Sequence, residues 1–187
     1  LFVAIADVAH YVRPKDPVDQ EALIRGTSVY FPTHAVPMLP EELSNNLCSS
    51  RPNVNRLTLP CEMRIDRSGE VIGYSLSESI IRSRARLIYE DVADLLDGRT
   101  SSISSPELQA NIRKMDKLAK ILQRKRIMRG AVQFSFAEEV FEFDSDQQMI
   151  GIGRSYQSSA MKLIEQFMLE ANETVARHCV KNRIPAL

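Results

Sequence analysis

The sequence predicts an α+β fold, a mixed or antiparallel sheet flanked by long helices, and three patterns predict it. Strand-like apolar runs bounded by Gly, Pro and Ser dominate the first half of the chain. Two later stretches, from Glu107 to about Met128 and from about Ser158 to Lys181, repeat their apolar residues at helical spacing instead. Strands followed by long helices give α+β, and no internal repeat divides the 187 residues, so one domain is expected.

The elements follow in order. The chain opens on LFVAIADVAHYV, where Leu1 to Ala6 form an apolar run that reads as a buried strand. In RPKDPVDQEALIRG, Asp16 is the N-cap of a short helix, Pro17 follows it and Gly26 ends it. TSVYF reads as a strand closed by Pro32, and PTHAVPML as a loop punctuated by proline. PEELSNNLCSS predicts another short helix with Pro40 in its first turn, where Glu41 and Glu42 suit the positive end of the helix dipole. RLTLPCEMRID and EVIGYSLSESII are strand-like runs joined by the hairpin signal RSG, and Pro60 inside the first marks an edge or a bulge.

YEDVADLLDG predicts a short helix ended by Gly98, and the Ser-rich RTSSISSP is the one plausible linker. In the first long helix the buried stripe is Leu108, Ile112, Met115, Ile121 and either Leu118 or Leu122. Short strands around AVQFSF and VFEFD precede the second long helix.

Composition excludes several classes of function. With 44% hydrophobic and 26% charged residues the chain is neither disordered nor fibrous. No apolar run approaches the roughly 18 residues of a membrane span and nothing resembles a signal peptide, so no membrane partner and a cytoplasmic setting are expected. Cys48, Cys61 and Cys179 are odd in number and far apart, and His10, His34 and His178 are scattered, which indicates neither a disulfide framework nor a zinc site. The net charge of zero conceals an asymmetry: Arg113 to Arg129 holds eight basic residues against Asp116, and an acidic stretch with Glu138, Glu139, Glu142, Asp144 and Asp146 follows. A basic helix can track a phosphate backbone, contact another protein or simply be a solvated face, and charge alone favours the last.

The second long helix carries an anomaly. Met161, Glu165, Met168 and Asn172 recur at i, i+4, i+7 and i+11, which sets a carboxylate on a stripe with two methionines. Such a group is paired, hydrogen-bonded, protonated, beside a ligand, or at the edge of the stripe reaching solvent or an arginine.

The stretches VAIADVAHYVRP, RGTSVYFP, VPMLPEELSNNLCS, RLTLPCEM, IRSRARLIYEDV, RGAVQFSF and LIEQFMLEANE, in that order, resemble the central part of the catalytic RNB domain of the ribonuclease II and ribonuclease R family, and the resemblance runs from Leu1 to Leu187. It implies a processive 3′ to 5′ exoribonuclease that hydrolyses single-stranded RNA to nucleoside 5′-monophosphates. The family's Mg2+ ions are held by an aspartate cluster, because two-metal hydrolysis needs several carboxylates around hard cations. That cluster precedes the strand matching LFVAIADV and has no counterpart here. Residues 1–187 are therefore expected to be a partial RNB catalytic domain, without the N-terminal aspartate cluster or the C-terminal part, and inactive alone. The pairs Asp91 with Asp94 and Asp94 with Asp97 read as a solvated helix face.

Site residues come across with the resemblance. Tyr30 is similar to a tyrosine that packs on RNA near the cleavage point, and Phe134 to an aromatic that stacks on the 3′-terminal bases; such stacking is worth about 1–3 kcal/mol and accepts any base. Both rings also fit ordinary core packing, and Phe136 shares the sheet face of Phe134. Tyr89 and Glu165 match positions that hold the terminal ribose and distinguish RNA by its 2′-OH. Tyr89 equally fits a helix N-terminal residue packing on its neighbours. Asp7, at the end of the first strand, is expected to line the site. Glu165, Tyr89 and Asp7 are thus the expected catalytic-site residues, Tyr30, Phe134, Tyr89 and Glu165 the expected contacts to single-stranded RNA, and none is a metal ligand. The competing expectation is a non-catalytic RNA-binding or scaffold module with the same fold.

Overall fold

In the computed structural model, which describes residues 1–32, 34–132, 137–146 and 148–186, the elements are β1 (Phe2–Ala6), α1 (Val8–Tyr11), α2 (Pro17–Arg25), β2 (Val29–Tyr30), β3 (Ala35–Val36), a π-helical turn (Glu42–Leu47), β4 (Asn55–Ile65), β5 (Val71–Leu76), β6 (Ser79–Arg82), α3 (Tyr89–Leu96), α4 (Pro106–Met128), β7 (Glu138–Phe143), β8 (Met149–Ser155) and α5 (Ser159–Asn182). The α+β expectation holds, and every ladder between these strands is antiparallel.

The long run around Pro60 becomes the central strand. β1 lies along one edge of β4, from Phe2 opposite Glu62 to Ala6 opposite Thr58. β5 and β6 share the other edge in one register from Asn55 to Arg64, interrupted between Leu76 and Ser79, and the register shifts by one residue between Arg64 and Ile65. Met63 N donates to Leu1 O and Asp7 N to Leu57 O, so odd-numbered residues of β4 turn their backbone groups to β1. Pro60 then faces β5–β6, where its missing N–H interrupts the ladder. The proline thus marks a break within a central strand, not the edge or bulge expected of it.

β1 is half-exposed because the helices do not cover all of its side chains. Leu1 and Val3 pack on the helices, whereas Phe2 and Ile5 face solvent, which corrects the reading of a fully buried strand. At the β4–β5 turn, Asp66 Oδ1 accepts from Ser68 Oγ, Ser68 N and Glu70 N at 2.6, 2.8 and 2.9 Å. These donors, the Ser68 hydroxyl foremost, hold the Asp66 carboxyl below its usual range.

Capping residues set the helix ends, at Asp16 and Gly26 as the sequence predicts. Asp16 accepts from Asp19 N, Ser105 from Leu108 N and Ser158 from Met161 N, and Gly26 closes α2 at φ 70°. Arg126 meets Gln166 and Arg129 meets Glu173, so contacts advance in step and α4 runs parallel to α5. Between them lie Ala119, Leu122, Leu163 and Phe167, with Leu1, Val3, Ile65 and Leu96 packed against this cluster. Fully burying a residue such as Leu122, 1% exposed, contributes about 1.5–3 kcal/mol. The RTSSISSP segment is no linker: Ile103 is buried against Leu95 and Ile112, Ser101 Oγ donates to Asp91 O, and Gln109 Nε2 donates to Ile103 O.

Some elements differ from expectation. The PEELSNNLCSS helix is wound as a π-turn, with Cys48 N donating to Leu43 O. TSVYF supplies only β2, which pairs with β3 inside the stretch expected to be loop. α1 and β8 have no counterpart in the sequence reading. Gly151 and Gly153 disguise β8, yet a Cβ on Gly153 would meet Glu142 Oε1 at 2.9 Å, so the cross-strand carboxylate occupies the space a side chain would take. Most of AVQFSF, residues 133–136, lies outside the described residues.

Candidate nucleic-acid interface

The expected site residues fall in three places. Asp7 ends β1 as the N-cap of α1, its Oδ1 accepting from His10 N at 3.1 Å. Its carboxylate also acts on Cys48, whose thiol is pushed up mainly by burial and further by that negative charge. Tyr30 sits on the two-stranded β2–β3 hairpin with 81% of its surface exposed, so the core-packing alternative does not apply to it. Next to it, Phe31 stacks on His34 with ring centroids 4.8 Å apart, and Phe31 N donates to His34 O.

Tyr89 is the first residue of α3, 44% exposed. It lines an apolar pocket of about 250 Å³ with Ile88 and Val92, against Met115 of α4 and Leu163 and Ile164 of α5. Glu165 therefore follows directly on the residues that wall the Tyr89 pocket. Its Oε2 accepts from Gln157 Nε2 at 2.6 Å, and its Oε1 lies 3.8 Å from Arg126 Nη1. Structure thus brings Tyr89 and Glu165 to neighbouring surfaces of α3 and α5. No hydrogen bond or ion pair among the described residues ties Asp7 or Tyr30 to them, and Phe134 lies outside the described residues.

The methionine stripe of α5 is not the buried one. Met161, Met168 and Asn172 are exposed, while Ala160, Leu163, Phe167, Ala171 and Thr174 face the core. Glu165 is consequently a half-exposed carboxylate with two polar partners, the edge-of-stripe alternative. The carboxylate that is buried is Glu170, 4% exposed, with Arg177 Nη2 at 3.3 Å and Lys125 Nζ at 3.8 Å. The sequence reading missed it, although it stands three residues after Phe167 and seven after Leu163, the spacing of one helix face.

The same network splits the basic helix. Lys125 donates to Gly69 O at 2.9 Å, Arg126 to Gln166 Oε1 at 3.1 Å, and Arg129 to both Glu173 oxygens at 2.9 and 2.6 Å. Arg113, Lys114, Lys117 and Arg124 are exposed, with no hydrogen bond or ion pair among the described residues.

Among the described residues no group of three or more His, Cys, Asp or Glu is placed to hold a metal ion. Asp94 and Asp97 instead share Arg99 at 2.6 and 2.9 Å, a solvated ion-pair cluster. The described residues do not fit a magnesium pair. No helix among the described residues is long and apolar enough to cross a membrane.

An antiparallel sheet backed by two parallel helices, with aromatic and carboxylate groups left on its open surfaces, defines an α+β unit rather than any particular activity. The RNB domain family matches residues 1–187, and the chain belongs to that family. It is 42% identical over 188 aligned residues to ribonuclease R of Escherichia coli (strain K12), covering 100% of this chain and 23% of that protein. The Mycoplasma genitalium RNase R in complex with double-stranded RNA is 37% identical, with a TM-score of 0.92 over 98% of this chain and 33% of that one. The same enzyme in complex with ribose methylated single-stranded RNA is 36% identical, with a TM-score of 0.91 over 97% of this chain and 28% of that one. The chain thus spans about a quarter of the length of the curated relatives it matches.

Proposed function

We propose that this chain is part of a cytoplasmic, processive 3′ to 5′ exoribonuclease that degrades single-stranded RNA to nucleoside 5′-monophosphates with Mg2+. In this reading Tyr30 stacks on the strand, Phe134 takes the terminal bases, and Tyr89 with Glu165 contacts the terminal ribose. Asp7 lines the reaction chamber. The Mg2+ ions are held by aspartates that are not among these 187 residues, and the chain alone does not cleave. What supports the reading is the match in fold, at 36% identity, to a ribonuclease solved with single-stranded RNA, together with one local observation: a tyrosine 81% exposed on a hairpin too small to need it for a core.

A phenol and a carboxylate on adjoining helices suit a ribose. Both bond hydroxyls, and a carboxylate already polarised by Gln157 and Arg126 is held in place to accept from a 2′-OH. The test measures binding of single-stranded RNA and DNA of one sequence, then digestion of the 5′-labelled RNA with Mg2+ or EDTA. The chain is expected to bind RNA in preference to DNA and not to shorten it. Tyr89→Phe with Glu165→Gln lowers the RNA preference roughly tenfold, the worth of one or two hydrogen bonds. Metal-dependent shortening from the 3′ end by this chain would contradict the assignment of the metal ligands. An unchanged preference in the double variant would contradict the ribose role.

A further inference from the structure

Where the end of α4, the β4–β5 turn and α5 meet, a groove of about 730 Å³ collects Arg67, Arg124, Lys125, Arg129 and Arg177. In a chain with no net charge this is a local excess of cations. Three of the five are engaged: Lys125 with Glu70 and Glu170, Arg129 with Glu173, and Arg177 with Glu170 and Glu173. Arg67 and Arg124 are exposed and have no hydrogen bond or ion pair among the described residues. We propose that this groove is a second contact site for single-stranded RNA, in which Arg67 and Arg124 take backbone phosphates and the paired cations and their carboxylates hold the walls. The proposal rests on the ribonuclease reading for its ligand, and its site is separate from the Tyr89–Glu165 surface.

Three features favour a nucleic-acid strand over other anions. Both unpaired cations, Arg67 and Arg124, are arginine, whose planar fork binds phosphate oxygens in pairs. The rim carries Met128, 87% exposed, with Ile121 in the wall, so sugar and base edges find apolar surface beside the charge. Position along the helix matters as well. Arg126 turns to Glu165 while its neighbours Arg124 and Lys125 line the groove, so α4 presents one face to the ribose contact and another to this groove. From Glu165 to Arg177 the rise along α5 is about 18 Å. Only a strand of several nucleotides spans both.

The test titrates the 187-residue chain with a fluorescein-labelled 20-mer of oligo(A) RNA by anisotropy over a series of salt concentrations. Each phosphate contact on a single strand contributes about 0.7 to the slope of log K against log salt. Arg67→Ala with Arg124→Ala is expected to reduce that slope by about 1.4, and to weaken binding about 25-fold at 0.1 M salt. Arg113→Ala with Lys114→Ala, outside the groove on the same helix, leaves the slope unchanged. Equal losses in the two double variants, or no loss in the first, overturn the proposal, as does displacement of RNA by polyaspartate at equal charge concentration. A parallel Tyr30→Ala, Tyr89→Phe variant separates this site from the other reading. If that variant binds as wild type while the groove variant loses its slope, the assigned stacking and ribose contacts fail and the groove stands. If the groove variant alone is silent, the groove fails and that reading stands.

Discussion

Replacing Lys125 by methionine keeps most of the length of the side chain and removes its charge. The side chain is 13% exposed, and its ammonium lies 3.8 Å from the Glu170 carboxylate and 2.9 Å from Gly69 O. At an effective dielectric near 20, two unit charges at that separation attract by about 4 kcal/mol. The hydrogen bond from a charged donor to the Gly69 carbonyl adds about 1.5–3 kcal/mol, whereas the pair with Glu70, itself 59% exposed, adds less than about 1 kcal/mol. Against these stand the desolvation no longer borne by the lysine and the Arg177 guanidinium 3.3 Å from Glu170, which still neutralises it. The expected net loss for Lys125→Met is about 3 kcal/mol, read as a fall in the urea midpoint and in Tm of roughly 6–12 °C for a chain of this size. Glu170→Leu is expected to lose less, because Lys125 keeps Gly69 O and Glu70, and Arg177 keeps Glu173. The double variant, with neither charge left in the interior, is expected to lie within about 1.5 kcal/mol of wild type. A Lys125→Met loss below about 1 kcal/mol, or a double variant that loses the full sum, would refute the claim that the interior pair ties α4 to α5.

Two further perturbations test neighbouring parts of the argument. Gly69 has φ 89° and a Cβ there would sit 3.0 Å from Ile121 Cγ2, whereas Gly26, at φ 70°, has open space; Gly69→Ala should cost roughly 2–3 kcal/mol in thermal unfolding and Gly26→Ala only about 1 kcal/mol, so equal costs would remove the packing component. The Arg129 hydrogen bonds hold the Glu173 carboxyl below its ordinary 4.5. A carboxylate with a lowered folded pKa stabilises fully above its unfolded value and loses that contribution as pH falls through the folded one. The stability advantage of wild type over Glu173→Gln, no more than about 1 kcal/mol for so exposed a pair, should therefore be constant at neutral pH and be lost as pH falls below the ordinary carboxylate range in urea titrations.

What could be read from the sequence was what local chemistry decides. The cap at Asp16 and the helical period of α4 and α5 are contained in a few adjacent residues, and these elements lie where they were expected, whereas the caps at Ser105 and Ser158 emerge only from the structure. Strand count was harder, because β8 exists through its partner: Gly151 and Gly153 give no strand signal until Glu142 is seen across from them. Pro60 shows the same limit, since a proline rules out one backbone hydrogen bond without saying which neighbour loses it. At the candidate interface, Glu165 was singled out on the assumption that its methionines were buried. Burial follows the stronger pair Leu163 and Phe167, and the interior carboxylate is Glu170. The helix period was legible, but its rotation about its own axis depends on β4 and α4, far away in the chain.

That rotation is what links the interior to the surface. α5 is held on two sides at once. Its apolar face carries Leu163, Phe167 and Ala171 into the two main clusters, and its polar flank engages Arg126 through Gln166, Lys125 through Glu170 and Arg129 through Glu173. The first constraint is insensitive to small rotations, because apolar contact has no direction. The second is directional, since hydrogen bonds weaken steeply off their axis, and it repeats along about two turns of the helix. Together they leave one azimuth for α5, in which Ile164 walls the Tyr89 pocket and Glu165 emerges beside it to meet Gln157. In the proposed ribose role, Glu165 needs such a fixed setting more than it needs burial. The charged residues inside this fold therefore earn their place by fixing where Glu165 points.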